Sequence, residues 1–391
     1  MKSSLSSYLN LLRLLAALAV YIAHGQNFTK FRVPYVGDLG SEAVFVFFVL
    51  SGMLITFSGT KQPDGPAFLR ARFIRLWSVC LPALLLTLVA DTIGQAISLT
   101  AYSPMQPYSL FKWVASIGIN ALFLNQVWQA NIYPGTNGPF WSLSYEFWYY
   151  ILFAAAVYVT GRKKVLAVAS AALVAGPAIL VGFPIWLMGS GLHFAVARYR
   201  ASTLVGWACW VGSFAAVYAF SFFDLGHVLA QAFPGIAAGA KWKVDFWPES
   251  YLIGAIVALN IYGFAVIGDR FQALLKACAA PIRFGSDISF GLYLFHYPLM
   301  YLVKAVMFGT GFTAGPVLIG VVYTVPIVVA AFLALQCEKH KNLIGVAIDR
   351  VTALAGAVAT SPAKRVVTPE LEDPLQRSPS SAASGEDKLL M

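Results

Sequence analysis

The sequence predicts an all-α fold, a polytopic membrane helical bundle of about ten transmembrane helices with one further apolar segment that is re-entrant or lies against the interface. Three observations predict it. Hydrophobic residues fill 59% of the 391 positions against 11% charged, and the mean hydropathy is +0.71, too apolar for a soluble domain. The apolar residues gather into runs near 8–26, 41–59, 76–98, 110–128, 140–160, 165–182, 183–197, 203–222, 250–268, 284–307 and 313–336. The basic residues fall between runs, at 61–75, 162–164, 198–200, 270–283 and from 339 onward, where they encode orientation. A net charge of +10 would suggest nucleic acid in a soluble protein, but charges confined to short loops beside apolar runs do not. The expected partner is the lipid bilayer, with no nucleic acid.

The first run holds two ionisable side chains where hydrocarbon should be, Arg13 and His24. Eleven residues at 100° each amount to three turns plus about 20°, so on a helix the two share one face, roughly 16 Å apart. Ionisable groups inside a span are costly and face a bundle interior or a water path, which makes both functional candidates. The bland alternative has Arg13 snorkelling to the cytoplasmic interface and His24 capping the far end. The run is long and has no small-residue cleavage site before a soluble segment, so it reads as a retained span rather than a signal peptide.

The second run contains Phe47-Phe48-Val49-Leu50-Ser51-Gly52, where Ser51 and Gly52 permit close helix approach. The loop after it carries Arg70, Arg72 and Arg75. Arg72 and Arg75 are three apart and point the same way on a helix, and guanidinium forks suit phosphate oxygens. A phosphorylated cofactor arriving from the cytosol would meet them first; an orientation signal or lipid head-group contact is the simpler reading.

Counting from a cytoplasmic start, all the basic connections fall on one side only if one run between 98 and 140 does not cross. The run at 110–128, with Lys112 near its start and Asn120, Asn125 and Gln126 along it, is that run. Both termini are then cytoplasmic, in an inner or plasma membrane. The next run contains Trp141-Ser142-Leu143-Ser144-Tyr145-Glu146-Phe147-Trp148-Tyr149-Tyr150. A carboxylate in an aromatic span must be neutral, paired or wet, and Glu146 either forms an interhelical salt bridge, as with Arg13, or orients His24. The run at 183–197 is short and includes Gly189, Gly191 and His193, making it the weakest span. In the run at 284–307, His296 lies mid-span with Pro298 after it, and Tyr293 and Asp287 are plausible partners for interior polar groups.

The chain thus divides into a transmembrane domain over 1–340 and a cytoplasmic tail over 341–391, largely disordered from about 360, where Ser, Pro, Ala and charge replace apolar periodicity. Cys80, Cys209, Cys278 and Cys337 have no paired spacing, so neither a metal site nor a disulfide framework is indicated.

Arg13 with His24 eleven positions on, the FFVLSG segment, the Arg72/Arg75 pair, the WSLSYEFWYY segment and the GLYLFHYP segment, in this order, make the chain resemble the acyltransferase-3 family of integral membrane O-acyltransferases over about 8–336. The resemblance implies a roughly ten-helix membrane fold that moves an acyl group, usually acetyl from acetyl-CoA, to a hydroxyl of a sugar, glycan or related acceptor. It implies His24, Glu146 and Arg13 as catalytic residues and Arg72 and Arg75 as the residues facing the cytosolic donor, with His296 and Tyr293 as secondary candidates from their own placement. Acetyl-CoA enters as donor substrate, and no metal is expected. Ser78 stands where family members often carry a proline after the arginine pair, and the proline comes only at Pro82. His24 would serve as general base on the acceptor hydroxyl or form an acyl-histidine. The alternative class is a membrane transporter or flippase for a glycan or lipid-linked intermediate, using the same polar groups as a path.

Overall fold

The computed structural model describes residues 3–59, 61–102, 110–199, 201–232 and 248–360, and they are helical with no strand among them. The helices are α1 (Ser3–Thr29), α2 (Gly40–Gly59), α3 (Gly65–Ile97), α4 (Leu110–Ala121), α5 (Trp141–Tyr158), α6 (Gly161–Ala175), α7 (Pro177–Arg198), α8 (Thr203–Phe222), α9 (Leu225–Ala232), α10 (Glu249–Ile267), α11 (Gln272–Ala277), α12 (Ala279–Gly309) and α13 (Pro316–Thr360). Met1–Ile348 form one compact unit and Asp349–Met391 a second, of which the described part continues the helix to Thr360. The tail expected to be disordered from about 360 lies outside the described residues.

Among the described residues, eight stretches are long and apolar enough to cross a bilayer: Ser3–Thr29, Gly40–Gly59, Gly65–Ile97, Pro177–Arg198, Thr203–Phe222, Glu249–Ala277, Ala279–Gly309 and Pro316–Ala353. Large apolar side chains on them face outward, as with Leu204 at 78% exposure, which is the inverse of a soluble surface and fits lipid contact. The sequence reading of about ten counts two more. Those two are α5, which carries Ser142, Ser144 and Glu146, and α6, which at 15 residues is only about 22 Å long.

The boundary expected between 182 and 183 falls earlier, because Gly176 (φ 80°) ends α6 and Pro177 opens α7. The supposedly weak run at 183–197 is thereby the second half of a full-length helix. Its glycine has a use: a Cβ on Gly189 would collide with the carbonyl of Val49, and one on Gly52 with the carbonyl of Trp186. Helices α2 and α7 therefore cross in backbone contact, as the Ser51-Gly52 pair suggested.

The run at 110–128 yields only the 12-residue α4, about 18 Å, followed by irregular backbone. Phe123, Trp128 and Asn131 adopt left-handed φ of 55°, 47° and 48°, an uncommon conformation held here by hydrogen bonds. The Phe123 carbonyl accepts from Ser144 Oγ (2.6 Å) and Trp148 Nε1 (3.1 Å) of α5. Asp91 of α3 accepts from the Thr136 backbone N–H (2.9 Å) and hydroxyl (2.6 Å). This loop is packed against the bundle rather than crossing it.

Helix α3 is capped by Asp64, whose carboxylate accepts from Ala67 N–H at 2.7 Å, and it runs unbroken through Ser78 and Pro82. The prolines of α12 and α13 do more. Pro298 has no N–H for the carbonyl of Leu294, four residues back, and Asn137 Nδ2 donates to that carbonyl at 3.0 Å. Pro326 likewise frees Val322, whose carbonyl accepts from the Tyr21 hydroxyl at 3.2 Å. Each proline thus docks another element on its helix: the 133–140 loop on α12 and α1 on α13.

Candidate active site

Helix α1 packs on both α2 and α12, and α12 also packs on α3. Four cavities lie along these helices. The first, about 420 Å³, is lined by Arg70, Arg72, Arg75, Arg13, Asp287 and Lys341, among others. The second, about 120 Å³, shares Arg13, Arg72 and Arg75 with it and adds Glu146, Tyr150, Ser51, Ser142 and Tyr293. The third, about 310 Å³, shares Val44 and Tyr293 with the second and contains His24, Tyr145 and Tyr297. The fourth, about 430 Å³ and mostly polar, shares His24 with the third and adds Gln26, Asn27, Lys30 and Arg32.

The structure thus separates the two ionisable groups of α1. Arg13 lies at the arginine-lined end and His24 at the other, with Val44 and Tyr293 at the junction. Arg72 and Arg75 reach the same two cavities, as their spacing of three requires. The Nε of Arg72 is buried without a hydrogen-bond partner, an expensive state for a guanidinium unless a ligand supplies the acceptor.

Glu146 belongs to the arginine-lined end. Residues 142, 146 and 150 sit four apart on α5 and all line that cavity. Its carboxylate accepts from Tyr150 Oη and from Ser51 Oγ (3.2 Å), and Ser51 in turn accepts from Trp186 Nε1 (3.2 Å). The reading in which Glu146 orients His24 is therefore corrected. Ser51, taken for a packing residue, is a polar link from α7 through α2 to α5. Sequence offered one signal for this, a hydroxyl inside an otherwise apolar span.

His24 pairs instead with His296. Their Nδ1 and Nε2 atoms are 2.7 Å apart, and the two rings lie edge to edge, nearly coplanar at 14° with centroids 5.0 Å apart. His296 is completely buried, and its Nδ1 lies 2.9 Å from the Leu292 carbonyl oxygen one turn back. Tyr297 flanks His24 with ring centroids 4.6 Å apart. Tyr293 donates its hydroxyl to the Pro139 carbonyl (2.9 Å) and accepts from Ser142 Oγ (2.9 Å), which fixes its ring between the two ends. Asp287 is an exposed group near Arg283 and does not join the histidines. Among the described residues no group of three His, Cys, Asp or Glu side chains is placed to hold a metal ion.

This arrangement has one end suited to an anion and another that presents an imidazole to a polar cavity. The chain is 24% identical over 327 residues to the O-acetyl transferase of Shigella phage Sf6, covering 74% of this chain and 84% of that one. It is 34% identical over 151 residues, 36% of each chain, to acyltransferase MdmB of Streptomyces mycarofaciens. It is 22% identical over 329 residues to nodulation protein 10 of Rhizobium leguminosarum bv. viciae, covering 76% and 83%. No solved structure matches. The profile of the acyltransferase domain of the acyltransferase-3 family matches residues 6–336, and the chain belongs to that family of membrane acyltransferases.

Proposed function

We propose that the protein transfers an acyl group, acetyl by preference, from acyl-CoA at the arginine-lined end to a sugar or glycan hydroxyl at the histidine-lined end. The observation that carries this reading is the shared wall at Val44 and Tyr293, which brings a cationic cavity and a histidine cavity into contact inside one bundle. Arg72 and Arg75 hold donor phosphates, and the unpartnered Arg72 Nε takes one of their oxygens. Arg13 adds a third cation, and Glu146, tied to Ser51 and Tyr150, offsets the charge of the inner arginines.

In the reaction the acceptor O–H proton passes to His24 as the oxygen attacks the thioester carbonyl. A C–O bond forms, the C–S bond breaks, and the proton returns to the departing thiolate, so His24 ends as it began. The positive-inside rule puts the 61–75 loop, and with it the arginine-lined end, in the cytoplasm with both termini. His24 then opens toward the opposite face, and acyl groups made in the cytosol reach acceptors beyond the membrane.

The test uses inside-out vesicles supplied with acetyl-labelled acetyl-CoA and extracted host glycans. Wild type should place alkali-labile label on glycan with one CoA released per acetyl transferred, and His24→Ala at equal abundance should lose it by 100-fold or more. Glycan movement without CoA release would return the protein to the transporter class.

A further inference from the structure

The two histidines together determine which atom does the chemistry. A carbonyl oxygen can only accept, so His296 Nδ1, 2.9 Å from Leu292 O, carries the hydrogen. A neutral imidazole has one N–H, which leaves His296 Nε2 as a lone pair. That lone pair is 2.7 Å from His24 Nδ1, which must therefore be the donor. His24 has then spent its only hydrogen on His296, and its Nε2 is the basic nitrogen.

The neutral state of His296 follows from its surroundings. It is fully buried, and the groups facing it are the rings of His24, Tyr21 (centroids 5.7 Å apart), Tyr297 (6.0 Å) and Tyr293 (6.4 Å) and the Leu292 carbonyl. None of them is an anion at working pH, so a resting imidazolium there would be a buried cation without a counter-charge. A doubly protonated His296 would also turn its Nε2–H on His24 Nδ1 and remove the free lone pair from the reacting ring.

We propose that His296 is the positioning residue of the active site, holding His24 in the Nδ1–H tautomer so that Nε2 takes the acceptor proton. This rests on the acyl-transfer reading for its consequence and on the hydrogen-bond geometry alone for the tautomer. When Nε2 of His24 receives the proton, the bond from its Nδ1–H to His296 becomes charge-assisted and strengthens, and the new charge is stabilised as it forms. A neutral imidazole thus does the work that a carboxylate does for histidine bases elsewhere, without placing an anion in lipid.

The experiment has two arms. Nitrogen-15 NMR of histidine-labelled wild type in detergent, assigned with His24→Gln and His296→Gln, should show His24 with a protonated Nδ1 and a bare Nε2. The opposite tautomer overturns the proposal whether or not any acyl acceptor is known. Kinetically, His296→Leu should lower kcat about 100-fold with KM for both substrates within about threefold, and it should shift the acid limb of the kcat/KM profile. His296→Gln, whose amide oxygen can stand where Nε2 stood, should recover at least tenfold of that loss, and His296→Asn, which is too short, should not. A His296→Leu enzyme with wild-type kcat and pH profile refutes the positioning role. If wild type transfers no acyl group at all, the functional reading fails while the spectrum still decides the tautomer.

Discussion

The arginine-lined and histidine-lined ends of the bundle share helices α1, α2, α5 and α12 and are built on opposite terms. At the first, the ionisable side chains of Arg13, Arg72, Arg75 and Glu146 gather, Arg72 keeps an unpartnered Nε, and a second cavity lined by the same arginines adjoins. At the second, both nitrogens of His296 are hydrogen-bonded, the neighbours are aromatic, and His24 is held by the His296 bond on one side and the Tyr297 ring on the other. One end is left electrostatically incomplete, as a binding site is before its ligand arrives. The other is complete before substrate arrives, as preorganised chemistry requires.

If that contrast is right, substitutions at the two ends should separate KM from kcat. The largest effect of the first kind is expected from Arg72→Ala combined with Arg75→Ala. Loss of two charge-assisted contacts, each about 1.5–3 kcal/mol, should raise the donor KM at least 100-fold while kcat at saturation stays within a few fold. Lysines at both positions should restore little, because a point charge lacks the guanidinium fork. A fall in kcat with unchanged donor KM would erase the distinction between the ends.

A smaller effect sharpens the claim that the histidine end is prebuilt. Asn137→Ala leaves the Leu294 carbonyl buried without its donor, at about 1–3 kcal/mol, and should lower the thermal midpoint in detergent by several degrees. Acceptor turnover should fall with it while donor binding, followed by calorimetry with CoA, is unaltered. Equal losses at both ends would mean that they are not independently built.

The mildest change tests the junction. Tyr293→Phe removes the bonds to Pro139 and Ser142 but keeps the ring, so acetyl transfer should drop about fivefold, equivalent to roughly 1 kcal/mol. Tyr293→Ala opens the wall, and longer acyl-CoA donors should then compete with acetyl-CoA in a chain-length series. An unchanged chain-length preference in the alanine variant would show that the wall is set elsewhere.

Much of this was legible along the chain and little of it across the chain. The 3.6-residue period put Arg13 and His24 on one face of α1 and Arg72 beside Arg75, because those relations are internal to a helix. Pairings between helices are not encoded in any period. His24 meets His296 across 272 positions, and Ser51 meets Glu146 across 95. The same gap explains the two readings left open for Glu146: its burial demanded a partner, but only the packing of α5 on α3 and α7 says which cavity it enters. The 183–197 run was misjudged because glycine reads as weakness in a hydropathy window and as contact once α2 lies against it.

The carbonyl freed by Pro298 bears on how the molecule is assembled. A helix inserted alone into lipid satisfies its own backbone, but α12 cannot, since Leu294 has no donor within the helix and hydrocarbon offers none. It reaches its lowest free energy only when Asn137 arrives from the loop before α5. That loop also carries Pro139, which receives Tyr293, and the helix it completes carries His296. Completion of the helix and the wall of the histidine-lined cavity therefore depend on the same loop.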